Sequence, residues 1–581
     1  MSRFLFLVLA LCCTAALAEN ASKPLGEPAL DPSTMHSLGV YWIISGDDNA
    51  NAAIEADVRK KGAAEWSKIM PLVRVEKGAH KTEKYGSKVN VPDAAWLFAG
   101  SALLLAPDTS YEIRLKLNDA DGGNAEKILE AKTIAEPLLP AGMTEVHVVP
   151  GGGGGTGTAA DPYKGLNAAQ DSAKPGDLFL LHAGTYAGTF MIKKSGEPGK
   201  PIVWRAAGDG DVVLDAKGKT DKLPVKGIDA NDAHDVWFEN LDIRNATYGM
   251  TAQDAHHLVI RRCHIHRIEY GIAITRNDRD TVRGMFIADN TLEGPSVWPR
   301  TKGIENARGI QITGAGHEVC FNRIRGFADA MDTFPSPQCV AIDFHNNDCS
   351  ECTDDGMEMD YSEHNTRSFN NRFTNIFQGI SVQPVFGGPV YIFRNALYNI
   401  GLEPFKMHNS PSGALMFHNT CVKKGMPAMV MTEEKVRNCV FRNNLFIGTD
   451  ANYAFEFMAP AEHCDFDYDG IGGGPWKLFM KWSGERYATL DELKAKGPIY
   501  KHAVLVDPAS AFASGILPPE DEKKQQLLTA NDLRLKAGSA AIDAGEVLPG
   551  INDGFSGKAP DLGAYELGAE LPHYGPRPEK K

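Results

Sequence analysis

An asparagine recurs about every 24 residues through the middle of this chain, and this period constrains the fold more than any other feature of the sequence. From Asn322 to Asn444 the successive steps are 25, 24, 24, 24 and 25 residues. The positions in register are Asn290, Asn322, Asn347, Asn371, Asn395, Asn419 and Asn444. A fixed period of this kind is typical of solenoids, in which each repeat forms one coil and stacks on the next.

Short runs of alternating apolar and polar residues surround each asparagine, and this alternation favours strands over helices. The residues two places after the asparagines are Leu292, Ile324, Cys349, Phe373, Leu397, Cys421 and Phe446. We therefore predict an all-β parallel β-helix with these side chains in its core. Each asparagine is expected at a bend, where its side chain can bond the backbone of its own turn and of the next coil.

The start of the chain predicts export. Arg3, an apolar run over 4–11 and Ala16-Leu17-Ala18 form a secretory signal peptide over residues 1–18, so we expect a secreted protein, extracellular or periplasmic. No later apolar run reaches the ~20 residues needed to cross a bilayer, which predicts no transmembrane segment. The pattern does not determine the oligomeric state.

The composition narrows the choice of partner and of covalent framework. A formal net charge of −14 argues against nucleic acid, because phosphates demand a basic surface. Eight of the ten cysteines follow residue 18, too few for a scaffold held by disulfides. We expect Cys263, Cys349, Cys421 and Cys439 to fill the core as small apolar side chains, and the sequence does not predict a disulfide pairing.

Residues 24–137 show short alternating strands that resemble a fibronectin type III β-sandwich. Trp42, Trp66 and the segment 105–111 carry the resemblance, with Tyr111 placed to make the corner hydrogen bond of such folds. The resemblance implies a spacer or docking module, and we assign no chemistry to it.

The segment 175–186, Pro-Gly-Asp-Leu-Phe-Leu-Leu-His-Ala-Gly-Thr-Tyr, resembles the opening of the β-helices in the pectate-lyase and polygalacturonase superfamily. The resemblance implies a right-handed parallel β-helix, which we expect over 145–457. A short helix is predicted over 163–173, closing the open end of the first coil. Residues 458–581 are expected to form a C-terminal capping region.

A second strand follows these asparagines after about nine or ten residues. The alternation of side chains along this strand predicts which of them point outward. The first outward column is Gln311, Asp332, Glu358, Ser381 and Lys406; the second is Thr313, Phe334, Asp360, Gln383 and His408. Because stacked strands lie ~4.8 Å apart, Lys406 is expected about 10 Å from Glu358.

Carboxylates concentrate on two neighbouring coils of this face, with two of them expected at the turn before the strand. The predicted metal ligands are Asp332, Asp354, Asp355, Glu358 and Asp360. Like charges this close raise one another's pKa, so a cation is expected to offset them. Ca²⁺ suits the site better than Zn²⁺ because carboxylates dominate and Ca²⁺ accepts irregular geometry. A solvated acidic face is the alternative.

Asp354-Asp355-Gly356-Met357-Glu358 and Phe405-Lys406-Met407 resemble motifs of polysaccharide lyases of the pectate-lyase type, closest to family 9. The resemblance implies that the acids, with Asp332 one coil earlier, hold Ca²⁺ and that Lys406 is the base. It further implies β-elimination on a uronic-acid polymer, an acidic polysaccharide. Glu358 stands where the family usually has Asp, and Pro404 where it has Gly.

Catalysis by this route needs a neutral amine, so the pKa of Lys406 is expected to fall towards the working pH. An ion pair of Lys406 with Glu403 or with one of the carboxylates of this acidic face is the alternative. Further catalytic candidates are Glu358 and His408. The predicted substrate-binding residues are Gln311, Gln383, Arg276, Arg279 and Arg300.

Other functions remain open at this point. A glycoside hydrolase could use two of the same carboxylates as acid and as base or nucleophile, without Ca²⁺ or Lys406. A non-catalytic carbohydrate-binding or adhesion protein is the third possibility. Four histidines, His256, His257, His264 and His266, raise a metal site as an alternative to a solvated face, since His264 and His266 share one outward face. The sequence does not identify the polysaccharide.

Overall fold

The computed structural model describes residues 19–78, 90–218, 224–275, 282–301, 306–333, 339–428, 430–431, 434–526 and 532–579. In these ranges an antiparallel β-sandwich precedes a long parallel solenoid. The strands of the sandwich are β1 Lys23–Pro24, β2 Ala29–Leu30, β3 Leu38–Ser45, β4 Ala53–Lys60, β5 Ser67–Val75, β6 Trp96–Ala102, β7 Ser110–Asn118 and β8 Ala125–Lys132.

The solenoid elements, in chain order, are β9 Thr144–Val149, β10 Tyr163–Lys164, α1 Leu166–Ser172, β11 Asp177–Leu181, β12 Gly184–Ala187, β13 Phe190–Met191, β14 Ile202–Ala206, β15 Val212–Asp215, β16 Lys226–Asp229, β17 Val236–Glu239, β18 Asp242–Arg244, β19 Tyr248–Thr251, β20 Val259–Arg261, β21 His264–His266, β22 Tyr270–Ile274, β23 Phe286–Ala288, β24 Thr291–Glu293, β25 Arg308–Ile312, β26 Glu318–Cys320, β27 Arg323–Arg325, β28 Asp329–Asp332, β29 Asp343–His345, β30 Asp348–Glu358, β31 Thr366–Phe369, β32 Arg372–Ser381, β33 Phe386–Phe393, β34 Ala396–Ile400, β35 Phe405–Lys406, β36 Ser412–Phe417, β37 Thr420–Val422, β38 Val430–Met431, β39 Val436–Arg437, β40 Val440–Arg442 and β41 Leu445–Ile447. The C-terminal elements are β42 Ala451–Phe457, β43 Ala461–Glu462, β44 Asp465–Asp467, β45 Gly470–Gly472, β46 Trp476–Trp482, β47 Glu485–Tyr487, α2 Leu490–Lys496, β48 Val504–Leu505 and α3 Pro508–Ala511.

The N-terminal sandwich packs its strands around Trp42, Ile54 and Ile113, all of them buried. The Tyr111 hydroxyl accepts a hydrogen bond of 2.9 Å from the Ala106 backbone N–H, which is the corner bond that the sequence predicts. The predicted β-sandwich is therefore confirmed, while its kinship with fibronectin type III domains stays a prediction.

Each coil of the solenoid adds parallel strands to two long sheets that face one another across an apolar core. Strand β18 pairs with β21, β21 with β24 and β24 with β27, so that Ile243, Ile265, Leu292 and Ile324 form one buried column. The predicted parallel β-helix is confirmed. Helix α1 begins three residues later than predicted, because Tyr163 and Lys164 pair with β9.

The asparagine ladder connects the coils as predicted. The Asn371 Nδ2 atom donates to Phe344 O at 2.9 Å in the preceding coil, and the Asn371 backbone N–H donates to Asn395 Oδ1 at 3.0 Å in the following one. The same pattern links Asn347 to Asn371 and Asn395 to Asn419. Every bend therefore satisfies buried backbone groups that water cannot reach.

The ladder ends in an aspartate, one coil beyond the predicted boundary of the β-helix. Asn444 donates to Asp469 Oδ1 through its backbone N–H at 2.8 Å and through Nδ2 at 3.0 Å. The Tyr500 hydroxyl donates to Asp469 Oδ2 at 3.0 Å. Strands β44 and β45 pair in parallel with β40 and β41, so parallel pairing continues past residue 457, the predicted end of the β-helix. The asparagine pattern stops there because Asp469 takes the position of the next asparagine.

The sandwich docks on the solenoid through buried polar groups. Arg367, fully buried, donates to Asp343 Oδ1 at 2.8 Å and to the Ser101 hydroxyl of the sandwich at 3.1 Å. Asp31 accepts from Asn365 Nδ2 at 2.7 Å and contacts His364 Nε2 at 3.1 Å. Because buried polar groups must be paired, these contacts hold the two units in one relative position.

The cysteines lie inside the solenoid as predicted. Cys263, Cys349, Cys421 and Cys439 are buried, and every cysteine in the described ranges is a free thiol. None of the helices there combines the length and the apolar character that crossing a membrane requires.

Asp469 predicts a pH dependence of stability. Burial raises its pKa to about 7, although hydrogen bonds to Asn444 and Tyr500 partly offset the effect. The folded chain therefore holds a proton between pH ~4 and ~7 that the unfolded chain releases, and stability falls as pH rises across that window. We predict that Asp469→Asn removes this slope and raises the free energy of unfolding at pH 8 by about 2–4 kcal/mol, measured by urea unfolding.

Asn371→Asp is the matched control, because it puts a carboxylate in the middle of the ladder. Its second oxygen would face two acceptors, Phe344 O and Asn395 Oδ1, so the charged form is disfavoured. This variant should lose more stability at pH 8 than at pH 5. Equal pH profiles for the wild type and Asp469→Asn would contradict the role given to Asp469.

Candidate active site

The predicted outward column exists as a continuous row across five coils. Gln311 lies opposite Asp332, Asp332 opposite Glu358, Glu358 opposite Ser381, and Ser381 opposite Lys406. The residues between them, Ile310, Met331, Met357, Ile380 and Phe405, are fully buried in the core. We call the carboxylates on this face, Asp329, Asp332, Asp354, Asp355, Glu358 and Asp360, the acidic ridge.

Asp354 and Asp355 occupy a strand and not the turn that the sequence predicts. Strand β30 runs unbroken from Asp348 to Glu358, and its pairing with β32 shifts register between Cys352 and Asp355. The irregular pairing takes the place of a turn between two strands. As a result the Asp355 backbone N–H donates to Asp329 Oδ1 at 3.0 Å, and Asp355 lies inside the ridge.

Arg308 is the central cation of the acidic ridge, and sequence reasoning missed it together with Asp329. Its Nη1 atom donates to Glu358 Oε2 at 3.0 Å and to Asp332 Oδ2 at 3.3 Å, and it also bonds Asp329. Arg308 and Asp329 are in register, three residues before Gln311 and Asp332 in their strands. Strict alternation predicts the opposite face for a position three residues earlier, so the sequence pattern gave no signal for either residue.

Lys406 forms an ion pair with the ridge. Its Nζ atom donates to Asp355 Oδ2 at 2.8 Å, and its side chain is only 11% exposed. Burial lowers the pKa of Lys406, but the charges of Asp355, Asp360 and Glu358 outweigh burial and raise it. The expected fall in pKa is therefore not what this structure shows, because a carboxylate stabilises the charged amine.

Glu403 does not pair with Lys406. Its carboxylate is fully buried, and neither oxygen has a hydrogen-bond partner in the described part of the chain. Burial raises its pKa to about 8, with Lys406 and Lys423 acting in the opposite direction. Of the two alternatives for Lys406, the structure therefore contains the pair with a ridge carboxylate.

Burial and mutual repulsion make several ridge carboxyls weak acids. Burial, then the charge of Glu358, raises the pKa of Asp329, Asp355 and Asp360 well above the usual range. Cations and hydrogen bonds offset only part of this effect. The acidic ridge thus contains three carboxyl groups that favour the protonated form, Asp329, Asp355 and Asp360. It also contains Glu358, whose side chain is 12% exposed.

Of the remaining predicted residues, the structure describes Arg300, Gln383 and His408, together with Asp354 and Asp360. Asp354 Oδ1 accepts from Arg300 Nη1 at 3.4 Å and from Gln378 Nε2 at 3.3 Å, so Arg300 approaches the ridge from its loop. Asp360 Oδ1 accepts from the Ser381 hydroxyl and from the Gln383 backbone N–H, both at 2.7 Å. His408 and the Gln383 side chain are partly exposed in the second column. Arg276, Arg279 and Phe334 lie outside the described residues.

The face continues past Gln311 towards the N-terminal coils as an open groove. Lys226, Tyr248, Tyr270 and Arg308 are in register on successive coils, and the two tyrosine rings stack at 4.6 Å. Gln311, which lies opposite Asp332 of the acidic ridge, lines this groove together with Lys226 and Tyr248. The ridge is therefore one end of a longer surface and not an isolated pocket.

The acidic ridge has donors that fit Ca²⁺. Asp329, Asp355 and Glu358 can each offer one oxygen within 4.8 Å of the others, and Asp355 Oδ1 is buried without a hydrogen-bond partner among the described residues. An all-carboxylate set matches the oxygen ligands that Ca²⁺ prefers. Arg308 competes for the same oxygens, and Asp332, Asp354 and Asp360 already accept from other side chains. Asp329 therefore joins the candidate ligand set that the sequence suggested.

Comparisons with known proteins agree with this architecture. Residues 226–384 match the family model described as right handed beta helix region. The chain is 24% identical over 446 residues to pectate lyase L of Dickeya chrysanthemi, covering 72% of this chain and 90% of that protein. For pectate lyase L of Dickeya dadantii (strain 3937) the identity is 23% over 444 residues, with the same coverage.

Among solved structures, a complex of XylC with xylose aligns with 58% of this chain and 85% of that chain. The identity is 12% and the TM-score 0.44, a likeness too weak to support a functional argument. Together with the observed coils, the sequence matches show that this protein contains a pectate-lyase-like right-handed parallel β-helix.

Arg308 predicts how charge is balanced in the ridge. Arg308→Met removes the cation shared by three buried carboxylates, so we predict a loss of about 3 kcal/mol in the free energy of unfolding at pH 7. The loss should shrink as the pH is lowered, for which we compare pH 7 with pH 5, because burial raises the pKa of Asp329 and a protonated carboxyl needs no cation. Urea unfolding at the two pH values measures both effects.

Arg534→Gln is the control for that measurement. Arg534 pairs with Asp532 at the surface, where its side chain is 50% exposed, so its loss should leave stability unchanged within error. An equal loss at pH 5 and pH 7 for Arg308→Met would show that Arg308 acts by packing and not by its charge.

Proposed function

We propose that this protein is a secreted polysaccharide lyase that cleaves a uronic-acid-containing polymer by β-elimination on the acidic ridge, with Ca²⁺ as cofactor. The observation that carries the proposal is the contact of Lys406 with Asp355, at 2.8 Å, inside a buried carboxylate cluster on an outer face of the β-helix. The two relatives named pectate lyase L support the same reaction class.

Binding an acidic polymer beside so many carboxylates requires positive charge. Asp329, Asp355 and Glu358 would hold Ca²⁺, which when bound would neutralise them and acidify the proton next to the substrate carboxylate. Arg300 and Arg308 are the ridge arginines that could contact further uronate groups. Gln311 and the groove beyond it would bind neighbouring sugars through hydrogen bonds.

Lys406 is the proposed base that removes the proton at C5 of the uronate. Its charge depends chiefly on Asp355, because the charge of that carboxylate and its hydrogen bond raise the pKa of Lys406. When Asp355 serves as a metal ligand, that support weakens, and burial then favours the neutral amine that a base requires. Glu358 and His408 are the further catalytic residues that we propose beside Lys406 on this face.

We predict that wild-type protein, given Ca²⁺ and a panel of uronic-acid polymers, releases unsaturated products that absorb in the ultraviolet. Lys406→Met should lower that rate by at least about 100-fold, because general base catalysis contributes on that scale. Lys477→Ala, which removes an exposed lysine far along the chain, is the control and should keep full activity. Chelation should abolish the wild-type rate, and calcium should restore it.

A glycoside hydrolase is the second candidate, and the raised pKa values of Asp329, Asp355 and Asp360 favour it. A carboxylic acid that stays protonated can donate a proton to a glycosidic oxygen, while Glu358 acts as base or nucleophile. Release of reducing ends without ultraviolet absorbance, in chelator and in Lys406→Met, would replace the lyase proposal with this one. Binding to a polymer without any product would indicate a carbohydrate-binding protein.

A further inference from the structure

A second cluster of ionisable side chains lies on strands β18, β21 and β24, which belong to the same long sheet as the acidic ridge but form a different row of paired strands. Asp242 of β18 is in register with His264 of β21, and His266 of β21 is in register with Glu293 of β24. The four residues therefore come from three successive coils whose backbones are joined by parallel pairing. We call Asp242, His264, His266 and Glu293 the histidine cluster.

The contacts within the histidine cluster are short. His266 Nε2 lies 3.1 Å from Asp242 Oδ2, and His264 Nδ1 lies 3.5 Å from the same oxygen. His264 Nε2 lies 3.8 Å from Glu293 Oε2. Ligands of tetrahedral Zn²⁺, at ~2.0–2.1 Å from the ion, are separated by about 3.3 Å. Asp242, His264 and His266 each place one donor atom within 4.8 Å of the others.

We propose that Asp242, His264 and His266 bind a divalent transition-metal ion, with Zn²⁺ the best fit and Glu293 as the fourth ligand. Two imidazole nitrogens and two carboxylate oxygens are a donor set that Zn²⁺ and its neighbours favour. Ca²⁺ takes oxygen ligands and has no preference for imidazole, so the histidine cluster and the acidic ridge would select different ions.

Binding requires one imidazole to turn. The rings of His264 and His266 stack at 4.2 Å with 7° between their planes. Because the lone pair of each ring nitrogen lies in the plane of its ring, parallel rings cannot both point at one ion. His264, 44% exposed, has room to rotate, whereas His266, 15% exposed, is held against Asp242. The ion would therefore order the more exposed ring.

Two arginines flank the histidine cluster and lower its affinity for a cation. Arg325 Nη2 lies 2.9 Å from Glu293 Oε1, and Arg244 Nη1 lies 3.9 Å from Asp242 Oδ1. Both arginines are partly exposed and can move away into solvent. A bound ion would then replace them as the positive partner of the carboxylates and would link three coils.

Other histidine groups in the described chain are less suited. His234, Asp235 and His256 also lie close together, but Asp235 follows His234 in the chain, and only two coils contribute. Glu318, Cys320 and His345 are fully buried, and Glu318 already accepts from the Met35 backbone N–H and contacts His345. His234 and His256 therefore serve as the matched control pair.

The test uses the full mature chain, freed of metal by a chelator and then dialysed. Titration calorimetry with ZnCl₂ should show one site, and Zn²⁺ should raise the unfolding temperature, since a ligand of the folded state stabilises it. Equimolar CaCl₂ should not displace Zn²⁺. Co²⁺ should give the visible absorption of a tetrahedral nitrogen and oxygen site.

His264→Gln is the main variant, because its exposed side chain can change without disturbing the core. It should lose the Zn²⁺ stabilisation and the Co²⁺ spectrum while its circular dichroism stays that of the wild type. His234→Gln/His256→Gln should bind as the wild type does. Retention of the site in His264→Gln, its loss in His234→Gln/His256→Gln, or no stoichiometric binding by the folded wild type would each overturn the proposal.

Discussion

The hydrogen bonds of the asparagine ladder support every other feature of this protein, because they hold the register from coil to coil. Each buried amide bonds the backbone of one coil and the side chain of the next, as Asn371 does with Phe344 and Asn395. A slip of one residue would exchange inward and outward side chains. The columns on which both proposed sites depend therefore exist only as long as this register does.

Charge balance is the second constraint, and it acts on the outer face. The acidic ridge gathers carboxylates whose burial opposes ionisation, and Arg308 and Lys406 compensate part of their charge from within the chain. This internal compensation leaves Asp355 Oδ1 without a hydrogen bond from any residue that the structure describes. Under the proposed function, a metal ion or part of a substrate would replace one of these internal cations.

Much of the fold could be predicted because local patterns repeat. The period of the asparagines and the alternation around them were enough for the coils and for the column from Gln311 to Lys406. Single residues that do not repeat were not predictable. Arg308 and Asp329 come together only when coils stack. Asp469 occupies the last position of the asparagine ladder, and the asparagine pattern does not identify it because the residue type differs. The turn expected at Asp354 became an irregular strand, since pairing with β32 outweighed the local turn signal.

By itself the sequence determined the solenoid, the burial of its apolar columns and the identity of the outward residues, because these follow from periodicity and from the hydrophobic effect along each coil. Only the tertiary structure decided which charged groups lie next to those outward-facing residues. Lys406 carries its charge because Asp355, 51 residues earlier in the chain, lies 2.8 Å away. The stacking of coils likewise brings His264 close to Asp242 and Glu293. The energy of a Coulomb interaction depends on the distance between the two charges in space, and the number of residues between them in the sequence does not give that distance.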